Sequence, residues 1–329
     1  MKHTKFALAS AAVLATLGFG TSYAQLPSTQ SWPVKPIRLI APFPPGGGAD
    51  TVGRPLAKVL SERLGQAVVI ENRGGAGGTI GAEAAAKAAP DGYTFLIGSL
   101  HHAIAHVLYP KLQYDITRDL VPVTTVAWMP NVVVVNPQKV PLGTFDEFFR
   151  RLKGSPGRLN YASGGSGTTQ HVSVELFQQQ TRTSALHVPY KGAGPAVQAL
   201  LAGQVDFMFN VLAPTLPHIR AGKLTALAVT SSKRSSALPE VPTLVELGIQ
   251  GMDVSTWFGI FVPAGTPREI VERMHREIVA ALAGAELRQT WQLFGMDASV
   301  MSSNEMAKLV AADIGFWGKV VKDASIKLE

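Results

Sequence analysis

Two glycine-rich loops carry the residues best suited to chemistry in this chain. The first, Pro44-Pro45-Gly46-Gly47-Gly48-Ala49-Asp50, follows a strand-like apolar run at 37–43 and opens onto a helical pattern. Three consecutive glycines strip away side chains, so backbone N–H groups can come close to a ligand. The start of a helix adds orphan donors and a partial positive charge, which suit a carboxylate or phosphate. The second loop, Ser163-Gly164-Gly165-Ser166-Gly167-Thr168, also lies between a strand and a helix and adds small hydroxyls. A glycine cluster after a strand is more often just a tight turn, so neither loop specifies a site by itself. Two such loops facing one another across a cleft would hold one anion between them.

Catalytic and cofactor signatures fail at identifiable positions. Neither loop has the spacing of a nucleotide P-loop, and Ser166 is not in a nucleophile elbow because Thr168 stands where the last glycine belongs. The run Gly74-Gly75-Ala76-Gly77-Gly78 lacks the third glycine of a dinucleotide fingerprint, since Ile80 occupies its place. His102 and His106 have i, i+4 spacing and His101 adjoins them, but no glutamate follows His102 and the segment has no carboxylate before Asp115. These histidines therefore read as structural or ligand-polar groups, and His171 and His187 as core or helix-end groups. No metal site, cofactor or catalytic set is expected.

Positioning these loops requires a chain of two domains. Of 329 residues, 46% are hydrophobic and 16% charged, the composition of a folded protein with large cores. Lys2 and Lys5 precede an apolar run from Phe6 to about Gly20, and Ser22-Tyr23-Ala24 supplies a small-x-small cleavage pattern. Residues 1–24 are thus expected to be a secretory signal peptide, too short in its apolar part for a comfortable membrane span. There is no cysteine, hence no disulfide and no lipid-modified cysteine. The mature product is expected in the periplasm, soluble and unanchored. The net charge of +7 falls to about +5 without the signal, and its Lys and Arg are scattered with no aromatic interleaving. That excludes a nucleic-acid groove and suits a mild field around a small anion.

Short apolar runs alternating with amphipathic ones predict an α/β fold of sheets flanked by helices. Strands are expected at 37–43, 67–71, 94–99, 132–136, 159–163, 185–188, 205–210, 224–230 and 252–262. Helices are expected near 51–64, 79–88, 168–180, 195–202, 212–221, 267–283 and 303–322. Thr144 and Glu147 read as a capping box opening a helix that Gly154 and Pro156 stop. Pro55 is expected to kink the first helix or delay its start. A chain that leaves one domain near Pro130 and returns through the strand at 252–262 makes a two-lobed clam. Lobe one would comprise 25–130 plus 255–329, and lobe two 131–254.

The ordered motifs identify a resemblance. Trp32-Pro33, the first glycine loop, Glu71-Asn72-Arg73, Pro90-Asp91-Gly92-Tyr93-Thr94, the run from Tyr161 through the second loop, and His187-Val188-Pro189-Tyr190-Lys191-Gly192 resemble the Bug family. So do Gly203-Gln204-Val205-Asp206, Pro239-Glu240-Val241-Pro242-Thr243, Trp257-Phe258-Gly259 and Pro263-Ala264-Gly265-Thr266-Pro267, and the likeness covers nearly the whole mature chain. These are periplasmic solute receptors of tripartite tricarboxylate transporters.

The resemblance implies a two-lobed, Venus-flytrap binding protein that closes on a small organic acid and presents it to integral-membrane permease subunits. Its ligand could be a di- or tricarboxylate, an amino acid or an aromatic acid. It also implies that Phe43, Pro45, Gly46, Gly47, Gly48 and Asp50 grip a carboxylate together with Ser163, Ser166, Gly167 and Thr168. Ser99 and His102 would sit near the cleft. Asp206 and Asn210 would either read the variable end of the ligand or serve as caps and interlobe hydrogen bonds. Pro55 departs from the family's usual helix former. A monomeric receptor without enzymatic activity is expected; a solute sensor for a signalling partner and an exported hydrolase or transferase are the alternatives.

Overall fold

The alternation of apolar and amphipathic runs becomes a mixed sheet covered by helices in a computed structural model that describes residues 32–109, 111–139 and 143–326. The expected signal peptide at 1–24 lies outside the described residues. In the first half, β1 (Ile37–Ala41) leads into α1 (Gly48–Leu64), β2 (Val68–Asn72) into α2 (Thr79–Ala86), and β3 (Thr94–Ser99) into α3 (Leu100–Leu108). These strands are parallel, in the order β2-β1-β3. All six residues of β3 are buried, as a strand covered on both faces requires, whereas β2 leaves Val69 exposed.

A single long strand, β4 (Leu120–Val135), and the capped helix α4 (Phe145–Gly154) lead into the second half. There the pattern repeats: β5 (Asn160–Ser163) leads into α5 (Thr169–Thr181), β6 (Leu186–Pro189) into α6 (Ala193–Leu201), and β7 (Phe207–Val211) into α7 (Leu212–Arg220). The parallel order is again outer-centre-inner, β6-β5-β7. The chain then adds β8 (Thr225–Val229) and returns as β9 (Ser255–Pro263). It finishes with α8 (Arg268–Ala283), α9 (Ala285–Gln292), β10 (Asp297–Ala298) and α10 (Ser303–Asp323). Here α8 packs on α1, and α10 on α3 and β4.

β4 belongs to both halves. Its residues from Leu120 to Pro130 pair antiparallel with β9, and from Asn131 onward it pairs with β7 and β8. The sequence reading placed a strand only at 132–136, because Pro122 and Pro130 interrupt the earlier run. The ladder absorbs this irregularity through register shifts between Pro122 and Thr124 and between Thr125 and Ala127. The result is a two-lobed α/β architecture.

Local signals mostly match the elements they predict. Glu147 N–H donates to Thr144 Oγ1 at 3.3 Å while Thr144 N–H donates to the Glu147 carboxylate at 3.2 Å, completing the capping box of α4. Helix α1 differs from expectation: it starts at Gly48 and runs through Pro55 without interruption. Pro55 is half-buried, and its ring leaves the Thr51 carbonyl without the usual amide donor. Without disulfides the fold rests on burial. Phe95, Phe258 and Phe261 in one half and Tyr161, Phe148, Phe177, Phe207 and Phe209 in the other are fully buried. Each contributes about 1.5–3 kcal/mol relative to exposure.

Candidate functional site

Five helices begin at the carboxyl ends of the parallel strands β1, β3, β5, β6 and β7, and the first turns of α1, α3, α5 and α6 and the N-cap of α7 reach one cavity of about 30 Å³. Gly48 and Ala49 come from α1, His101 from α3, Gln170 from α5, Ala193 and Gly194 from α6, and Val211 caps α7. Phe43, Pro44, Gly47, Gly164 and Phe258 complete the lining. A single water needs roughly 10–15 Å³, so this closed space admits a group of carboxylate size, and a longer solute would hold the two halves further apart. The carboxyl ends of parallel strands are where α/β sheets bind ligands. None of the lining residues is a Lys or Arg. Favourable potential for an anion must therefore come from the helix starts, each equivalent to roughly half a positive charge with first-turn N–H groups lacking intrahelical acceptors.

The first loop is braced by an ionic network. Asp50 accepts from Gly46 N–H at 3.0 Å and Arg54 Nε at 2.8 Å through one oxygen, and from Asn72 Nδ2 at 3.1 Å through the other. Asn72 also donates to the Phe43 carbonyl at 3.0 Å. Burial opposes ionisation of Asp50, but the bonds from Arg54, Gly46 and Asn72 outweigh it and hold the carboxyl below its ordinary value. Asp50 thus shapes the loop and does not line the cavity. Gly46 spends its N–H on Asp50, and Pro45 and Gly46 are exposed. Phe43, Gly47 and Gly48 are the members of this loop's predicted set that reach the cavity. Gly48 is required by close approach: a Cβ there would lie 2.9 Å from the Phe258 ring.

The second loop is braced by neutral groups. Ser163 Oγ lies 2.6 Å from His187 Nε2 and 3.1 Å from the Gly165 amide. Gly167 N–H donates to His171 Nδ1 at 3.1 Å, and Thr168 Oγ1 donates to the Gly165 carbonyl at 2.7 Å. The two imidazoles stack 3.9 Å apart and nearly parallel. Burial pushes His171 down to about 3, with the neighbouring His187 adding to the effect, and pushes His187 down to about 4. Both are uncharged at neutral pH. Ser163, Ser166, Gly167 and Thr168 therefore shape the loop, and Gly164 is its residue in the lining. Gly164 N–H donates to Gln170 Oε1 at 3.1 Å and its carbonyl accepts from Gly192 at 3.0 Å, drawing the starts of α5 and α6 together.

Among the histidines the structure selects His101, which the sequence reading left in a structural or ligand-polar role. It stands edge-on to Phe43 at 4.9 Å, with Nδ1 3.1 Å from Ser99 Oγ and Nε2 3.3 Å from Thr169 Oγ1. Burial, then the adjacent His102, pushes its pKa down to about 3. Ser99, as predicted, lies at this end of β3 and caps α3. His102 points elsewhere on the helix: its Nδ1 lies 3.0 Å from Ser99 N and 3.2 Å from the Ser99 carbonyl, and burial lowers its pKa to about 4, only partly offset by backbone hydrogen bonds at Ser99 and Gly78. Adjacent helical residues lie about 100° apart, so only one of the pair can face the cavity.

The two residues predicted on β7 separate. Asn210, near its carboxyl end, accepts from Gln170 Nε2 at 2.8 Å and donates to Thr215 Oγ1 at 2.7 Å, fixing the amide that lines the cavity. Asp206 precedes the strand's other end, roughly 13 Å away along an extended chain. It accepts from Asn160 N–H at 2.8 Å and faces Lys139 at 3.6 Å, so it is not brought to the cavity. The strand begins two residues later than the sequence reading placed it. Gln170 and the Ala193–Gly194 turn were missed as site residues, although the turn follows directly on the Tyr190-Lys191-Gly192 motif.

The halves touch around the cavity. Tyr109 Oη donates to the Ser166 carbonyl at 3.2 Å, Thr256 Oγ1 donates to Thr169 Oγ1 at 3.3 Å, and a Cβ on Gly192 would lie 3.2 Å from the Pro44 ring. This is a closed arrangement.

Comparison with known proteins matches residues 52–326 to the family described as tripartite tricarboxylate transporter family receptor. The Bordetella pertussis protein BugT is 39% identical over 304 residues, 92% of this chain and 93% of its own. A solved periplasmic transporter superposes with a TM-score of 0.87 at 38% identity, covering 91% of this chain and all of that one. An R. palustris protein solved with adipate gives the same TM-score at 35% identity and the same coverage.

Proposed function

Because the chain belongs to the tripartite tricarboxylate transporter receptor family, we propose that it is an extracytoplasmic receptor that closes on a small carboxylate and delivers it to membrane permease subunits. The observation that carries this reading is the convergence of five helix starts on a cavity with no basic side chain. Backbone dipoles hold a carboxylate without the desolvation penalty of a buried guanidinium. The adipate-bound relative supports a dicarboxylate as the solute class.

In this reading lobe one comprises 25–130 plus 255–329 and lobe two 131–254, and the hinge lies where β4 changes partners and where the chain re-enters β9. The carboxylate is held by the first-turn amides of α1, α5 and α6 beside Gly47, Gly48, Gly164 and Ala193. Phe43 and Phe258 pack on its carbon chain, and His101 and Gln170 contribute polar edges. Ser99, Asp50, Ser163, Ser166, Gly167, Thr168 and Asn210 act by holding these groups in place. Solute stabilises the closed form through contacts made only there. In this reading the solute is carried unchanged: His101 bonds two hydroxyls, and among the described residues no carboxylate is hydrogen-bonded to it as the orienting member of a triad. In this reading the chain is exported by its leader and works as a monomer; no helix among the described residues is long and apolar enough to cross a membrane.

Native mass spectrometry of the protein from Gln25 onward tests this reading. A retained carboxylate that also raises the melting temperature when added back is the expected result. At a hundredfold excess over Kd the stabilisation is about 2.7 kcal/mol. No retained mass and no shift across mono-, di- and tricarboxylates would overturn it.

A further inference from the structure

Successive residues of β9 point to opposite faces, with Phe258 lining the solute cavity and Trp257 lining a separate groove of about 500 Å³. Trp128, Trp317, Asp313 and the exposed Phe316 form one wall of this groove, while Ser232 and Asp253 come from the other side of the point where β4 changes partners. We propose that this groove is the docking site for an arginine-bearing segment of the membrane partner, and that lobe closure sets its shape. The proposal rests on the transport reading above.

The chemistry of the walls selects the occupant. Asp253 Oδ1 accepts from Ser232 N–H at 2.9 Å and Asp313 Oδ2 from Trp257 Nε1 at 2.6 Å, so each carboxylate keeps one oxygen outside these bonds. Among the described residues neither forms an ion pair, whereas Glu71, Glu246, Glu272 and Asp323 all do. Burial raises the Asp313 carboxyl above its ordinary value, and the Trp257 bond only partly offsets this. A bound cation would complete the compensation. On a chain of net charge +7, two carboxylates without cations in an aromatic groove form a local inversion of charge. A guanidinium fits both halves of the surface: its fork pairs with a carboxylate and its plane stacks on indole or phenyl faces. Because walls from both sides of the strand crossover form the groove, its width follows the same motion that closes the cavity.

The test uses the mature protein and two variants, Asp253→Asn with Phe316→Ser, and Asp253→Arg. All of these positions are exposed, and asparagine keeps the bond from Ser232. Solute affinity is measured by calorimetry, and uptake into proteoliposomes carrying the membrane subunits of its own transporter. The expected result is solute affinity within twofold of wild type and uptake reduced at least tenfold in both variants. Normal uptake by the variants overturns the groove assignment and leaves the receptor reading standing; normal uptake with an altered oligomeric state gives the groove to a second copy and also overturns it. A matching loss of solute affinity overturns it too, by making the groove part of closure and not of docking. Wild-type protein that binds solute but supports no uptake overturns the transport reading itself.

Discussion

The loops at 43–50 and 163–168 share a position after a strand and a composition of glycine and small polar residues, yet the fold braces them by opposite means. The first is tied by an ionised Asp50 held between Arg54, Asn72 and Gly46. The second is tied by two stacked, uncharged imidazoles reaching Ser163 and Gly167. In both, the side chains are spent on the loop, and what remains for a ligand is backbone at a helix start. The lesson is that a site built from peptide dipoles needs rigid support more than reactive side chains. The two supports should also fail differently.

The largest difference is expected from adding a side chain to each loop. Gly47 has ordinary extended geometry, with φ −80°, and a Cβ there would meet nothing closer than 3.5 Å. Gly47→Val should therefore abolish solute binding, with affinity falling at least about a hundredfold, or about 2.7 kcal/mol, while the melting temperature stays near wild type. At Gly164 a Cβ would lie 2.8 Å from Gln170 Oε1 and 3.1 Å from the Ala193 amide nitrogen. Gly164→Val should lose both binding and about 1–3 kcal/mol of stability. Calorimetry and thermal melts on the two variants check the contrast; equal melting temperatures would erase it.

Acid should sharpen it next. A buried histidine whose folded pKa lies near 3 or 4 stays neutral while the unfolded chain takes up a proton below about 6.5. Stability is then lost as pH falls from 6.5 toward 4, by at most roughly 1.4 kcal/mol per unit for each histidine. Glu175, raised by burial, works in the opposite direction. Asp50 is lowered, so its contribution is fully present above the ordinary carboxylate range and is lost as pH falls through that range and below it. Urea midpoints should decline between pH 6.5 and 5, and His187→Gln should lessen that slope without abolishing it, because the buried His101 and His102 also contribute. A flat wild-type profile would contradict the neutral brace.

Asp50→Asn removes the charge of the first brace and should cost about 2 kcal/mol, within the range for a charged hydrogen bond. It should weaken solute binding about tenfold without changing the slope between pH 6.5 and 5. The smallest effect belongs to Tyr109→Phe, which deletes one interlobe hydrogen bond to Ser166. It should lower solute affinity by about 1 kcal/mol, roughly fivefold, and leave stability of the unliganded chain almost unchanged.

Local chemistry in the sequence located both loops, the strand–helix alternation and the capping box at Thr144, because each depends on neighbours in the chain. Convergence was not legible. His101, Gln170 and the Ala193–Gly194 turn meet only because five strand ends point into one space, a property of topology and not of spacing. Asp206 failed for a related reason: it stands at the amino end of β7 and Asn210 near the carboxyl end, and only the topology shows that the cavity gathers carboxyl ends. The choice of His101 over His102 turned on a helix rotation that composition does not encode. Pro122 and Pro130 hid the first three quarters of β4 by imitating a loop, since bulges that absorb a proline leave no mark in an apolar pattern.

Recognition of negative charge by backbone amides is the central claim, and calorimetry with a matched pair of ligands tests it most directly. The linear dicarboxylates of four to six carbons would be titrated into the mature protein at pH 7.5, followed by the diamide of whichever binds best. The diamide keeps the length and shape of the acid and removes its charge. The account predicts that the dicarboxylate binds at least about a hundredfold more tightly, a difference near 2.7 kcal/mol. Equal affinity, or tighter binding of the diamide, would contradict it.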